Sequence, residues 1–299
     1  MTNYVFDMET SDPDDVFALA LLATHPRSNL VAVTIHPGGH DQVGLVRHVL
    51  DRLGVKDVYV GAGSPKKSGP KVSAFHYDWL GKIPDSPPDD TAVSVIQDAL
   101  WKFPDAQLVT GAALTNIANA ARDCVRFFNH WTCQGGFAGD NVVPEPLRLP
   151  KFNGRLTCPT YNLNGNPTAA QALLCNPLSV IRYRRLVPKN VCHGIFWPPE
   201  FNDKVPSGAH PGLDFIKEGM QHYFKKHPTG KALHDVVAAA AALTPSIGTW
   251  VAVDIYRAKN GEWGCNPFNE TTAIMPQVPE PVQIMIALNM AGFEEVLAR

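Results

Sequence analysis

The chain has 299 residues, 45% hydrophobic and 18% charged, with a formal charge of −2 at pH 7. That balance supplies one large apolar core or two modest ones and excludes a disordered chain. It also argues against a nucleic-acid binder, because no basic stripe extends short pieces such as Arg182-Tyr183-Arg184-Arg185.

In chain order, an apolar run ending at Asp7 reads as a strand and is followed by a helix from Val16. Leu30 to Ile35 is a second strand, Asp41 to Leu53 a helix with Val43, Val46, Val49 and Leu50 on one face, and Asp57 to Val60 a third strand. Gly61 to Asp90 reads as a long irregular segment, of the kind that forms functional loops. Thr91 to Lys102 is helical, Ala106 to Val109 a strand, and Gly111 to Asn116 a turn opening a helix that ends near Arg122. Phe127 to Thr132 then reads as a strand, Pro167 to Leu174 as a helix and Leu178 to Tyr183 as a strand. Val187 to Pro211 is irregular; helices over Leu213 to Phe224 and from Ala232 through Leu243 follow, then strands from Trp250 and a short helix at Phe293 to Leu297. Strands alternating with helices predict an α/β fold with an open, mostly parallel (mixed) sheet flanked by helices. With no linker or repeat, residues 1–299 read as a single domain.

Met1-Thr2-Asn3 leads straight into strand-like residues, and no apolar run is long enough for a bilayer, so the expectation is a cytoplasmic protein. The six cysteines show no CxxC pair or zinc-type spacing, which favours free thiols over a disulfide framework.

The densest chemistry lies at the start, where Asp7, Glu9, Asp12, Asp14 and Asp15 crowd five carboxylates into nine residues. Like charges this close raise one another's pKa, so a buried cluster shares protons or faces a cation, with a hard divalent ion as the sharper reading. Helix capping is the rival reading: Asp12 suits the N-cap, Pro13 the first helical position, and Asp14 and Asp15 the positive end of the helix dipole. Capping does not account for Asp7 and Glu9, which alternate along the strand end and share a face.

Three more loops follow strands, where open parallel sheets bind ligands: His36 to Gly39, Thr110 to Asn116, and Gln134 to Asn141. His234-Asp235 opens a later helix and could close over them, though each residue has an ordinary structural reading when taken singly. The chain has no GxGxxG helix opening near its start, no GxxxxGK[ST] and no GxSxG, which disfavours a dinucleotide site, a P-loop and a serine hydrolase.

Taken together these loops resemble the inosine-uridine nucleoside hydrolase family, whose order they keep along nearly the whole chain. Asp7-Met8-Glu9-Thr10-Ser11-Asp12-Pro13-Asp14-Asp15 is similar to its DxDxGxDD opening, and Thr110-Gly111-Ala112-Ala113-Leu114-Thr115-Asn116-Ile117-Ala118 to its TGPLTNIA turn. Gln134-Gly135-Gly136 with Asn141 matches an MGG…GN loop, Thr160-Tyr161-Asn162 before Pro167-Thr168-Ala169-Ala170 an EFN segment before a DPEAA helix, and His234-Asp235 a late HD.

The resemblance implies a nucleoside hydrolase-like fold with a Rossmann-like core and cleavage of a nucleoside or nucleoside-like small molecule into base and sugar. It implies Ca²⁺ held by Asp15, Asp235, the Thr115 carbonyl and Glu9, together with two sugar hydroxyls and the attacking water. Asp14 is the implied general base, His234 a candidate proton donor to the leaving base, and Asn141 and Asn162 sugar ligands. It further suggests a homodimer or homotetramer. The chain departs from the pattern: the acid loop is one residue longer, Glu9 replaces an aspartate, Asp12 is extra, and Thr160 stands where the family has a sugar-binding glutamate. The family's asparagine after the second strand falls on His36 to Gly39. An altered glycosyl group, another glycosidic substrate, or a nucleoside- or sugar-binding protein with catalysis lost are the alternatives these changes leave. His76, Tyr77 and Trp79, with Phe137 or Trp197, either stack on an aromatic leaving group or pack in the core.

Overall fold

The computed structural model describes residues 1–64, 71–122, 124, 127–176, 179–269 and 280–299. The first half alternates as the sequence predicts: β1 (Thr2–Met8), α1 (Pro13–Thr24), β2 (Ser28–Ile35), α2 (His40–Arg52), β3 (Tyr59–Ala62), α3 (Ala74–Leu80), β4 (Asp90–Thr91), α4 (Ala92–Lys102), β5 (Gln107–Thr110), α5 (Thr115–Ala121) and β6 (His130–Gln134). The second half holds β7 (Thr157–Cys158), α6 (Tyr161–Gly165), α7 (Pro167–Leu174), β8 (Tyr183–Val187), α8 (Lys189–Cys192), β9 (Phe196–Trp197), α9 (Pro199–Lys204), α10 (Pro211–Phe224) and β10 (Lys231–Ala232). It closes with α11 (Asp235–Leu243), β11 (Gly248–Arg257), β12 (Trp263–Pro267), β13 (Val282–Leu288) and α12 (Met290–Ala298).

The main sheet runs β4-β3-β2-β1-β5-β6-β8-β13-β11-β12-β7, with β9 and β10 paired separately. Pairing is parallel from β4 through β13 and antiparallel from there to β7, so the sheet is mixed and mostly parallel. The chain winds outward from β1 to β4 on one side and from β5 to β8 on the other. The C-terminal ends of β1 and β5 therefore flank the point where the winding reverses, and a crevice opens there.

One helix pair carries the acid loop. Asp12 caps α1 by accepting the Asp14 N–H at 2.8 Å, and Pro13 sets the first helical φ, so capping and the acid cluster coexist. α1 packs against α10 and α11. Gly212 lets α10 approach, since a Cβ there would lie 2.3 Å from the Ala20 carbonyl oxygen. Asp235 to Leu243 is buried throughout, mostly as alanine, and packs against α1 on one side and β5 and β6 on the other.

Differences from the sequence reading fall on short elements. α3, α8 and α9 lie inside segments read as irregular, because helices of seven residues or fewer show too few turns for a periodic signal. The strand expected over Leu178 to Tyr183 begins only at Tyr183, and residue 178 lies outside the described residues. All six cysteines are free. No helix among the described residues is long and apolar enough to cross a membrane.

Candidate active site

β1 ends by burying Asp7 at zero exposure. Its Oδ1 accepts from Thr34 Oγ1 at 2.6 Å and Asn116 Nδ2 at 2.8 Å, which ties the C-terminal ends of β1, β2 and the β5–α5 turn together. Burial pushes its pKa up to about 7, against the pull of these two donors, and Oδ2 has no hydrogen-bond partner. Asp7 thus supports the loop from below.

Above it lies a cavity of about 410 Å³ whose walls include Glu9, Asp12, Asp14, Asp15, Gly111, Asn162, His234 and Asp235. Residues more than two hundred positions apart close it. Asp14 Oδ2 accepts the backbone N–H groups of His234 at 2.6 Å and Asp235 at 2.5 Å, while its buried Oδ1 has no partner among the described residues. Asp235 Oδ1 is likewise buried and unpartnered. Asp15 Oδ1 accepts the Glu9 N–H at 3.3 Å.

The electrostatics are those of crowding. Burial raises the Asp15 pKa well above the usual carboxylate range, and Asp235, Glu9, Asp12 and Asp14 push it further; Asp235 is raised by burial, then by Asp14, Glu9 and Asp12. Burial also raises Asp14 and Glu9. Asp12 goes the other way: burial favours its neutral form, but Lys231, whose Nζ stands 2.6 Å from Asp12 Oδ1, holds it below its ordinary value. Lys231 is almost fully buried and also attracts Asp14, so it pins the Asp12 edge of the acid cluster.

This donor set fits a hard divalent cation. Three acids, Asp14, Asp15 and Asp235, are essentially buried and crowded, and two of them present bare oxygens, an arrangement that costs energy until positive charge arrives. Among the described residues no three His, Cys, Asp or Glu side chains already converge into a coordination shell, so binding has to draw these carboxylates together. From the turn after β5 it is Gly111 that reaches the wall; a Cβ there would fall 2.5 Å from Asp235 Oδ1. Thr115 heads α5, and its hydroxyl accepts from Asn166 Nδ2.

The remaining site residues divide. Asn162 lines the cavity and donates to Gln134 Oε1 at 2.8 Å, and Thr160 beside it buries a hydroxyl with no partner. Tyr161, three-quarters exposed, stands at the mouth with its hydroxyl 3.5 Å from Glu9 Oε2. His234 is half-buried, its ring edge-on to His193; burial lowers its pKa while Asp14 draws it back up. Asn141 lies outside this wall and donates to the Cys265 carbonyl at 2.8 Å. His76 takes the packing alternative: it is fully buried, bonded to Ser73 Oγ at 2.8 Å and edge-on to Phe75, and lines neither cavity beside the acid loop. Trp79 packs on Phe17 and Phe215. Lys231 and Lys189 are the site residues the sequence reading missed; three positions before His234, Lys231 carried no motif that marked it.

The sequence profile described as inosine-uridine preferring nucleoside hydrolase matches residues 4–295. Among solved structures, a plant nucleoside hydrolase superposes with a TM-score of 0.72 at 18% identity, covering 99% of this chain and 98% of its own. A purine-preferring ribonucleoside hydrolase from Gardnerella vaginalis gives 0.66 at 20% identity, with 98% of each chain covered. An inosine-uridine preferring nucleoside hydrolase from Bacillus anthracis gives 0.68 at 17%, covering 100% and 98%. At these identities the likeness shows the fold. No curated protein matches the chain.

Proposed function

The chain belongs to the inosine-uridine preferring nucleoside hydrolase family, a family of N-glycosyl hydrolases, and from that premise we propose a Ca²⁺-dependent hydrolysis of a nucleoside-like substrate with Asp14 as general base. The observation that carries this is the asymmetry of Asp14, a residue that lines the cavity: one oxygen is fixed by two backbone N–H groups, and the other is buried with no partner among the described residues. A carboxylate oriented in this way can accept the proton of an attacking water without having to search for direction.

In the proposed reaction the bond between the sugar's anomeric carbon and the base nitrogen breaks, water supplies hydroxide to the carbon, and the base leaves with a proton. Positive charge develops on the sugar ring, and the acid wall stabilises it. Asp15, Asp235 and Glu9, with the Thr115 carbonyl, are the residues that would hold Ca²⁺. When bound, the ion lets neighbouring carboxylates ionise together and acidifies the water beside them. His234 stands next to Asp14 in the wall and is the candidate donor to the departing base. Asn162 and Thr160 would contact the sugar, with Asn141 reaching it from the turn after β6. We include a homodimer or homotetramer in this reading on family grounds, and carry the cytoplasmic location and the single domain over residues 1–299 from the sequence.

The test is release of free base from a nucleoside panel with Ca²⁺ in excess and again with chelator. Metal-dependent release that Asp14→Ala abolishes supports the reading. Binding without turnover, or full activity in Asp14→Ala, overturns it.

A further inference from the structure

A second cavity, of about 720 Å³, adjoins the acidic one and shares Glu9, Ser11, Thr160, Tyr161 and Lys189 with it. Its charge is reversed. Among the described residues Glu9 is its one carboxylate, and Lys71 and Lys189 supply two ammonium groups, whereas the acidic cavity sets five carboxylates against Lys189.

Both lysines are held in place by their surroundings. Asp41 Oδ2 accepts the Lys71 N–H at 2.9 Å and Thr10 Oγ1 donates to the Lys71 carbonyl at 3.3 Å, so α2 and the acid loop fix that backbone. Lys189 opens α8, its N–H bonds the Gly136 carbonyl, and its Nζ donates to the Pro159 carbonyl at 3.0 Å. Neither ammonium forms an ion pair among the described residues, in contrast to Lys231 on Asp12. Thr160, which lines both cavities and is 4% exposed, has a buried hydroxyl with no partner among the described residues. Glu9 faces the Tyr161 hydroxyl and the Ser11 side chain and also acts on Lys71, so it offsets one of the two cations and leaves the described lining net positive.

Two cations set against one carboxylate, beside a site of opposite sign, select a substrate with negative charge at one end. We propose that this cavity seats an oxyanion substituent of the substrate, a phosphate or a carboxylate, against Lys71, Lys189 and the Thr160 hydroxyl. The inference rests on the nucleoside hydrolase reading and names its substrate class: a nucleoside made anionic by a phosphate on the sugar or a carboxylate on the base. The anionic group binds and is not cleaved; the bond that breaks is still the one from sugar carbon to base nitrogen.

The experiment compares kcat/KM for inosine, inosine 5′-monophosphate and inosine 3′-monophosphate, and for uridine and orotidine, with Ca²⁺ in excess. At least one anionic substrate is expected to exceed its neutral parent by about tenfold, the value for one charge-assisted hydrogen bond. Whether the phosphates or orotidine gain identifies the source of the charge. Lys71→Gln and Lys189→Gln each reduce that preference through KM, Lys71→Arg retains it, and added salt weakens it. Neutral nucleosides cleaved as well as every anionic counterpart overturn this inference and leave the hydrolase reading standing, as does an equal loss on both classes in Lys71→Gln. Failure to cleave any of the five sinks both.

Discussion

Asp14 and Asp235, 221 positions apart, meet where α1 and α11 begin: one Asp14 oxygen accepts the Asp235 backbone N–H at 2.5 Å and that of His234 at 2.6 Å. The positive end of α11 therefore holds the carboxylate proposed as base.

That contact separates structure from chemistry. Asp14→Asn keeps a carbonyl oxygen for the two N–H groups while removing the basic oxygen. Thermal denaturation is expected to move by only a few degrees, while base release falls by about 10³-fold, the scale of a lost general base. Activity retained in the folded Asn variant would remove Asp14 from the reaction.

Gly111→Ala tests the metal wall from the other side. Its new Cβ would lie 2.5 Å from Asp235 Oδ1, so Asp235 or the turn has to move. We expect weaker Ca²⁺ binding by isothermal titration. Ca²⁺ itself should raise the melting temperature of the unmodified chain as it relieves the crowded carboxylates, in proportion to the logarithm of its concentration. Chelator should reverse that rise; a melting curve indifferent to Ca²⁺ would count against the site.

Lys231 and Asp12 form a clamp between β10 and the cap of α1. Asp12 is half-exposed, so solvent discounts the pair, and a Lys231→Met, Asp12→Asn double-mutant cycle is expected to give a coupling of about 1 kcal/mol in stability. Zero coupling in urea unfolding would mean that the clamp contributes nothing to the fold.

His25 sets an acid limit remote from the site. It is 2% exposed beside His210, and burial, with the neighbouring His210 and Arg27 charges, lowers its pKa from 6.5 to about 4. The folded state thus favours the neutral ring. Its contribution is complete above pH 6.5 and is lost as pH falls from there toward 4, where the unfolded chain binds the proton first. His25→Gln should flatten that part of the stability–pH curve in urea titrations by ~2 kcal/mol.

Local signals determined much of this protein. Period and capping placed β1, α1, α2, α4, α7 and α11 close to their observed bounds, because each buries a face or carries a recognisable end. Asp7 to Asp15, the turn after β5 and His234-Asp235 stood out because acids at strand and helix ends mean chemistry or caps wherever they occur. The short α3 and α9 and the late start of β8 did not show, since a few residues take their conformation from what packs on them.

Tertiary structure alone decided which acids are buried together and what each one touches. The reversal of winding beside β1 brings Gly111 and Asp235 to the acid loop, turns one oxygen of Asp14 inward, and buries Lys231 against Asp12. It also sets an acidic cavity against one flanked by Lys71 and Lys189. A linear sequence shows which charges exist; desolvation and distance, which fix how they act on each other, arise only when the strand ends converge.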